Sequence, residues 1–237
     1  MREESRSWSR DEFTRQLRHV LERRYHHLHP FNLRMHEGTL TRDELQLWVA
    51  NRFCYQRIIP LKDAAIVSAC PERAIRQRWI ERIIDHDGRG DADGGLEGWL
   101  RLAEAMDVTR DTLLSERWAL PGAKFAAEAY LTFCRTRPWL ESVAASLTEL
   151  FAPTIVQERL AAMLKHYAWI ASDGLEYFHR RLTQAPRDAE YALALVTERA
   201  TTREAQELMI QALEFKCDVL WSLLDAVEMG TPAWKVP

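Results

Sequence analysis

The sequence predicts a single all-α domain, and three observations carry that prediction. Apolar residues recur at intervals of three and four along most of the chain, which is the helical period. No window alternates apolar and polar residues for long enough to make a strand. The 9 glycines and 9 prolines among 237 residues fall below the usual combined share of about 12%, so few turns are available. Ser9-Arg-Asp-Glu12 has the form of a capping box, and Phe13, Leu17, Val20, Leu21 and Leu28 then follow at helical spacing, predicting a helix over 10–27. A second box, Thr41-Arg-Asp-Glu44, opens a helix that Pro60 is expected to stop. Further helices are predicted over 71–87, 94–107, 121–136, 138–151, 154–166, 171–184, 187–199 and 202–228. Gly88 to Gly95 holds four glycines, but it follows no strand and lacks a Gly-Lys-Ser/Thr ending, so it reads as an interhelix loop and not a phosphate loop. The domain is expected to fill 1–237, with 1–8 and 230–237 as flexible ends.

Composition narrows the partner. A chain of 27.6 kDa with 47% hydrophobic residues can bury a sizeable core, which excludes disorder. The 32 Lys and Arg residues against 35 Asp and Glu exclude the basic footprint of a nucleic-acid or membrane-surface binder. No uncharged run approaches the roughly 18 residues of a membrane span, and Met1-Arg-Glu-Glu-Ser-Arg-Ser-Trp8 has no apolar signal segment. A cytoplasmic location is expected. Cys54, Cys70, Cys134 and Cys217 are far apart and without C-x-x-C spacing, predicting buried free thiols.

The informative residues are charges inside apolar stripes, because burying a charge is costly unless it is paired or binds something. Leu45, Val49, Arg52 and Gln56 follow i, i+4, i+7, i+11, which carries Arg52 and Gln56 onto the buried face. Ile75, Trp79, Arg82 and His86 repeat the spacing, and Met209, Ala212, Lys216, Val219 and Leu223 set Lys216 inside the stripe of the last helix. Glu149 is the only charge between Glu141 and Glu158 and is expected to be buried. Tyr177 and Arg181 stand at i, i+4 and reach the same space; Lys62 follows the break at Pro60. Each of these alone has a structural explanation, as a cross-helix pair or a snorkelling cation. Together Arg52, Lys62, Arg82, Arg181 and Lys216 outnumber the isolated inward acid Glu149, which predicts a bound anion with several carboxylates or phosphates.

His86 lies between Asp85 and Asp87. Flanking carboxylates are expected to raise its pKa and suit it to proton transfer, with capping of the helix end as the structural alternative. Tyr25 and His26 could add a second pair, whereas His27, His29 and His36 read as surface residues. Of the two Glu-x-x-His motifs that a di-iron bundle needs, only Glu176-Tyr-Phe-His179 is present, so no metal is expected.

Several blocks resemble the pyrroloquinoline-quinone synthase family: Trp48-Val-Ala-Asn-Arg-Phe-Cys-Tyr-Gln56, Ile59-Pro-Leu-Lys-Asp-Ala-Ala65, Arg82-Ile-Ile-Asp-His-Asp-Gly88, Leu113-Leu-Ser-Glu-Arg117, Ser146-Leu-Thr-Glu-Leu-Phe-Ala-Pro153 and Phe215-Lys-Cys-Asp-Val-Leu-Trp-Ser222. They occur in family order from about residue 10 to 229. The resemblance implies a haem-oxygenase-like helical fold without haem, a homodimer, and the last step of pyrroloquinoline quinone (PQQ) formation. In that step a polycarboxylate quinone precursor undergoes ring closure and eight-electron oxidation by O2, giving PQQ and hydrogen peroxide with no metal or organic cofactor. It implies a pocket of Tyr25, His26, Arg52, Gln56, Lys62, Arg82, His86, Glu149, Tyr177, Arg181 and Lys216. Arg52, Lys62, Arg82 and Lys216 would clamp the anion, His86 would move protons, and Tyr177 with Arg181 would stabilise reduced oxygen. One departure stands out: Val156 occupies a position where the family usually has histidine, which allows a carrier or partial oxidase as the alternative. A thiaminase-like member of the same fold would need a nucleophilic cysteine in the pocket, with Cys54 the nearest candidate.

Overall fold

The computed structural model describes residues 6–90 and 92–230. Twelve α-helices follow one another among these residues: α1 Arg10–Arg24, α2 Pro30–Glu37, α3 Arg42–Gln56, α4 Ile59–Ala69, α5 Arg73–Asp87, α6 Gly95–Ala105, α7 Arg110–Leu114, α8 Pro121–Thr136, α9 Trp139–Ala145, α10 Ala152–His166, α11 Glu176–Arg199 and α12 Arg203–Met229. Three 3-10 turns, His26–Leu28, Ser146–Leu150 and Ser172–Leu175, join them. The described residues form no strand, only an isolated bridge between Arg89 and Ala92, and the predicted all-α class holds.

Both capping boxes form as predicted. Ser9 and Thr41 each accept from the backbone N–H three residues on, while Glu12 and Glu44 reach back to the cap. The segment 10–27 is shorter than predicted, because Tyr25 turns extended and His29 and Pro30 start α2. His29 therefore corrects the surface reading: it is buried, its Nδ1 accepts from the Phe31 N–H at 3.1 Å, and its Nε2 lies 3.2 Å from Asp225. Pro60 does not stop the second helix but opens α4 from its second position, where the missing N–H leaves no hydrogen bond unmade.

Pro186 corrects the boundary predicted at 184–187, since it sits inside the unbroken α11. A proline in a helix interior costs about 3 kcal/mol. Tyr177, Phe178, Arg181 and Ala185 before it, and Asp188, Ala189, Ala192, Leu195 and Val196 after it, continue one buried face, and packing of that face overrides the local preference. The segment 138–151 is also not one helix: after α9 it tightens into the 146–150 turn, which brings Thr148 and Glu149 to a cavity wall.

α12 is the central helix, packed against α8, α9, α1 and α3, while α11 lies against the 146–150 turn and α10. Trp48, Trp79 and Trp99 are fully buried, and Trp48 meets Trp99 edge-on at 5.4 Å between ring centroids. Full burial of a side chain of this size contributes upwards of about 3 kcal/mol. The N-terminal segment departs from the flexible reading at Trp8, whose N–H donates to Gln206 Oε1 at 2.8 Å and whose carbonyl accepts from Gln206 Nε2 at 2.9 Å. Residues 1–5 and 231–237 of the expected ends lie outside the described residues. No described helix is long and apolar enough to cross a membrane. All four cysteines are free and buried.

Candidate active site

The end of α1, α3, the end of α5, the 146–150 turn, α10 and α11 surround a partly open pocket whose roughly 620 Å³ of empty space includes open solvent. Eight of the predicted site residues line it: Tyr25, His26, Arg52, Gln56, His86, Glu149, Tyr177 and Arg181. Lys62, Arg82 and Lys216 do not. Their placement separates the cations into two groups.

The first group is paired internally, which corrects the expectation that Glu149 is the one buried acid. Asp63, Glu141 and Asp188 are buried, whereas Glu149, expected to be buried, is only partly so because it faces the cavity. The Arg82 guanidinium forms a bidentate fork with Glu149 at 2.7 and 2.8 Å, donates from Nε to Asp63 at 3.3 Å, and lies 3.2 Å from Asp188. Burial works against the Arg82 charge, but the Glu149, Asp63 and Asp188 carboxylates overcome it and raise its pKa. Lys62 Nζ lies 2.6 Å from Asp63 and donates to Ser146 Oγ at 3.1 Å. Burial pushes the Glu149 carboxyl up; the Arg82 charge and hydrogen bonds, with Arg181 and Lys62, outweigh it and hold Glu149 ionised. Arg181 is 3.7 Å from Glu149, and its Nη1 is buried without a hydrogen-bond partner.

The second group has no carboxylate partner among the described residues. Arg52 lies over the Tyr55 ring at 4.1 Å. Arg159, on α10, lines the cavity, donates from Nη2 to Asn32 at 2.9 Å, and leaves its Nε buried and unpartnered. Burial, then the nearby Arg52 charge, lowers the Arg159 pKa to about 10, so it remains a cation at neutral pH. Lys216 is completely buried behind the wall, donates to Tyr55 Oη at 2.6 Å, and lies over the Tyr55 and Tyr130 rings. Burial, with the Arg52 and Lys62 charges, drives its pKa well below the usual lysine value. Arg159 is the residue sequence reasoning missed. Ile155, Arg159 and Met163 are spaced i, i+4, i+8, the same signal that found Arg52.

His86 departs from its predicted titration. Asp85 is drawn away by Arg187, while burial and the Arg181 charge lower the His86 pKa to about 4. Its Nδ1 lies 3.0 Å from the Arg82 carbonyl, and a carbonyl only accepts, so Nδ1 carries the hydrogen and Nε2 is bare. Gly88, at φ 87°, ends α5 just beyond; a Cβ there would stand 2.3 Å from the Ala92 carbonyl oxygen. Tyr177 is held by Gln56, whose Nε2 donates to its Oη at 2.9 Å, and by the edge of Trp99 at 4.9 Å. Val156 lines the cavity beside Ala152 and Ile155, giving that sector an apolar surface. Glu176 and His179 are exposed on the outer face of α11. Cys54 is buried off the cavity, where burial pushes its thiol up to about 11, and this removes it as a pocket nucleophile.

Comparison with known proteins agrees with this architecture. The TENA/THI-4/PQQC family model matches residues 14–226. The chain is 53% identical over 222 residues to a pyrroloquinoline-quinone synthase of Pseudomonas aeruginosa, covering 93% of this chain and 88% of that protein. It is 51% identical to a protein of the same name from Klebsiella pneumoniae, covering 90% and 85%. Among solved structures, a TenA homologue from P. horikoshii superposes with a TM-score of 0.72 at 15% identity, covering 94% of this chain and 98% of that one. A domain with a haem-oxygenase-like fold from Shewanella denitrificans gives 0.70 at 13% identity, covering 92% and 89%. The chain belongs to the TENA/THI-4/PQQC family, among its pyrroloquinoline-quinone synthases.

Proposed function

We propose that this protein is an oxidoreductase that carries out the final step of PQQ formation, the ring closure and eight-electron oxidation by O2 of a polycarboxylate quinoline-dione precursor. The observation that carries the reading is the pair Arg52 and Arg159, cations on the wall of one cavity, neither of which forms a salt bridge among the described residues. A bare buried cation is costly, and a substrate with several carboxylates offsets that cost. Guanidinium forks also orient a planar acid, which fixes the geometry needed for ring closure.

The proton-moving group is His86. A pKa near 4 keeps its imidazole neutral at physiological pH, and its Nε2 is free to accept a proton from the substrate. Tyr177, held by Gln56, and Arg181, with a free Nη1, supply donors where negative charge develops on oxygen. Buried Tyr25 and Tyr55, whose phenols burial raises above their usual pKa, donate hydrogen bonds without ionising. On this reading O2 is the co-substrate, no metal or organic cofactor is used, and the protein works in the cytoplasm as a homodimer. Sedimentation at twice the 27.6 kDa chain mass checks the last point.

The test is aerobic incubation of purified protein with the precursor in the presence of EDTA, following PQQ absorbance and peroxide. Multiple turnovers are expected. Val156 favours the second reading, a PQQ or precursor carrier or a partial oxidase, because it puts an apolar side chain where the family usually has histidine. A stable, spectrally shifted complex without peroxide would decide for that reading.

A further inference from the structure

Asn32 has no part in the chemistry described above, yet its contacts determine the state of two residues that do. It is completely buried on α2 and is not part of the cavity wall. Its Nδ2 lies 2.8 Å from His26 Nδ1 and 2.6 Å from the His26 carbonyl oxygen, and its Oδ1 accepts from Arg159 Nη2 at 2.9 Å. Both ends force the amide orientation, because a guanidinium only donates and a carbonyl only accepts. Turning the amide over would set N–H against N–H and oxygen against oxygen. One Nδ2 hydrogen therefore meets the carbonyl and the other meets His26 Nδ1, which has to be the acceptor.

We propose that Asn32 is a positioning residue that locks His26 as the neutral Nε2–H tautomer, so that His26 meets the substrate as a hydrogen-bond donor and not as a base. The same amide fixes the Arg159 fork beside it. A proton added at Nδ1 would confront the Asn32 N–H. The other groups facing His26 oppose it too: Arg52 from α3, Arg159 from α10, Lys216 from α12 and neighbouring His27. Burial first, then these charges, keeps the His26 pKa well below 6.5. The two cavity histidines are thereby set in opposite tautomers. His86 presents a bare Nε2, and His26 presents an N–H.

The substrate-facing half of this inference rests on the proposed function, whereas the tautomer is a property of the free protein. The experiment is 15N NMR of the full chain labelled at histidine, with His26 assigned by its loss in His26→Gln. The expected signature is an unprotonated Nδ1 and a protonated Nε2, unchanged between about pH 5 and 8, the range in which free histidine titrates. A protonated Nδ1, or a ring that titrates in that range, overturns the proposal. In Asn32→Asp the carboxylate still accepts from Arg159 but cannot donate to His26. His26 should then gain a proton at Nδ1, and PQQ affinity should fall about tenfold, the worth of one charge-assisted hydrogen bond. Wild-type ring signals in that variant would also overturn it. If Asn32→Asp does not fold, the wild-type spectrum still decides the tautomer. Failure of the wild-type protein to bind PQQ would refute the functional reading alone.

Discussion

On the side of the cavity built by α4, α5 and α11, buried cations meet carboxylates: Lys62 with Asp63, and Arg82 with Asp63, Glu149 and Asp188. On the side built by α3 and α10, Arg52 and Arg159 form no salt bridge among the described residues and meet aromatic rings, an amide and each other's field. Similar side chains are thus put to different uses. Charges whose partners are in the fold hold the fold, and charges without partners await a ligand. Substitutions on the first side should appear in stability, and those on the second in binding.

The largest effect is expected for Arg82→Leu. Removing this guanidinium leaves Asp63, Glu149 and Asp188 facing one another below the surface, which costs about 3–5 kcal/mol when one partner of a buried ion pair is lost. Thermal unfolding should move down by roughly 10 °C in a chain of this size. A melting temperature within a degree or two of wild type would show that Arg82 is not the keystone of the paired wall.

The next effect is on pH dependence. The folded pKa of His86, about 4, lies below its ordinary value of 6.5. Above pH 6.5 neither the folded nor the unfolded chain binds a proton at this ring. Between those values only the unfolded chain does, so stability falls as pH falls, by about 3 kcal/mol once pH 4 is passed. Chemical denaturation between pH 7 and 4 should show His86→Asn losing less stability than wild type by that amount. Parallel curves would contradict a buried neutral imidazole.

How much of this was legible in the sequence follows from the range of the forces involved. Capping boxes and apolar periodicity act within a few residues, so α1, α3, α5, α8 and α12 could be read directly. The stop expected at Pro60 and the break expected between 184 and 187 do not occur, because packing that the sequence alone does not display outweighs the local preference. Periodicity found Arg52, Gln56, Arg82, His86 and Lys216 as inward residues but could not say which cations were already paired. Asp63 and Asp188 come from helices whose faces become buried only when α4 and α11 close over α5 and the 146–150 turn. The His86 titration was misjudged for the same reason, since Asp85 is next to it in sequence but turned toward Arg187 in space.

On the unpaired side, Arg159→Met should weaken PQQ binding by about 10- to 100-fold, corresponding to a charge-assisted contact of roughly 1.5–3 kcal/mol. Its melting temperature should stay within a few degrees of wild type, because removing a buried cation without a salt-bridge partner offsets the Asn32 Oδ1 acceptor left unpaired. Fluorescence titration and thermal melts on the same preparation test both halves. A fall in stability with unchanged affinity would transfer Arg159 to the structural group.

Lys216→Met should give the smallest change, which reverses what the sequence suggests for this residue. Lys216 is completely buried behind Tyr55, off the cavity wall, and its pKa is driven well below the usual lysine value. Its amine donates to Tyr55 Oη and lies over the Tyr55 and Tyr130 rings, so it offers an anion in the cavity no direct contact. Replacing it leaves the Tyr55 hydroxyl without that partner, at about 1 kcal/mol, while PQQ affinity should drop less than about threefold. An affinity loss as large as that of Arg159→Met would mean that Lys216 acts on the bound ligand across the Tyr55 ring. The unpaired wall would then extend one layer deeper than the cavity surface.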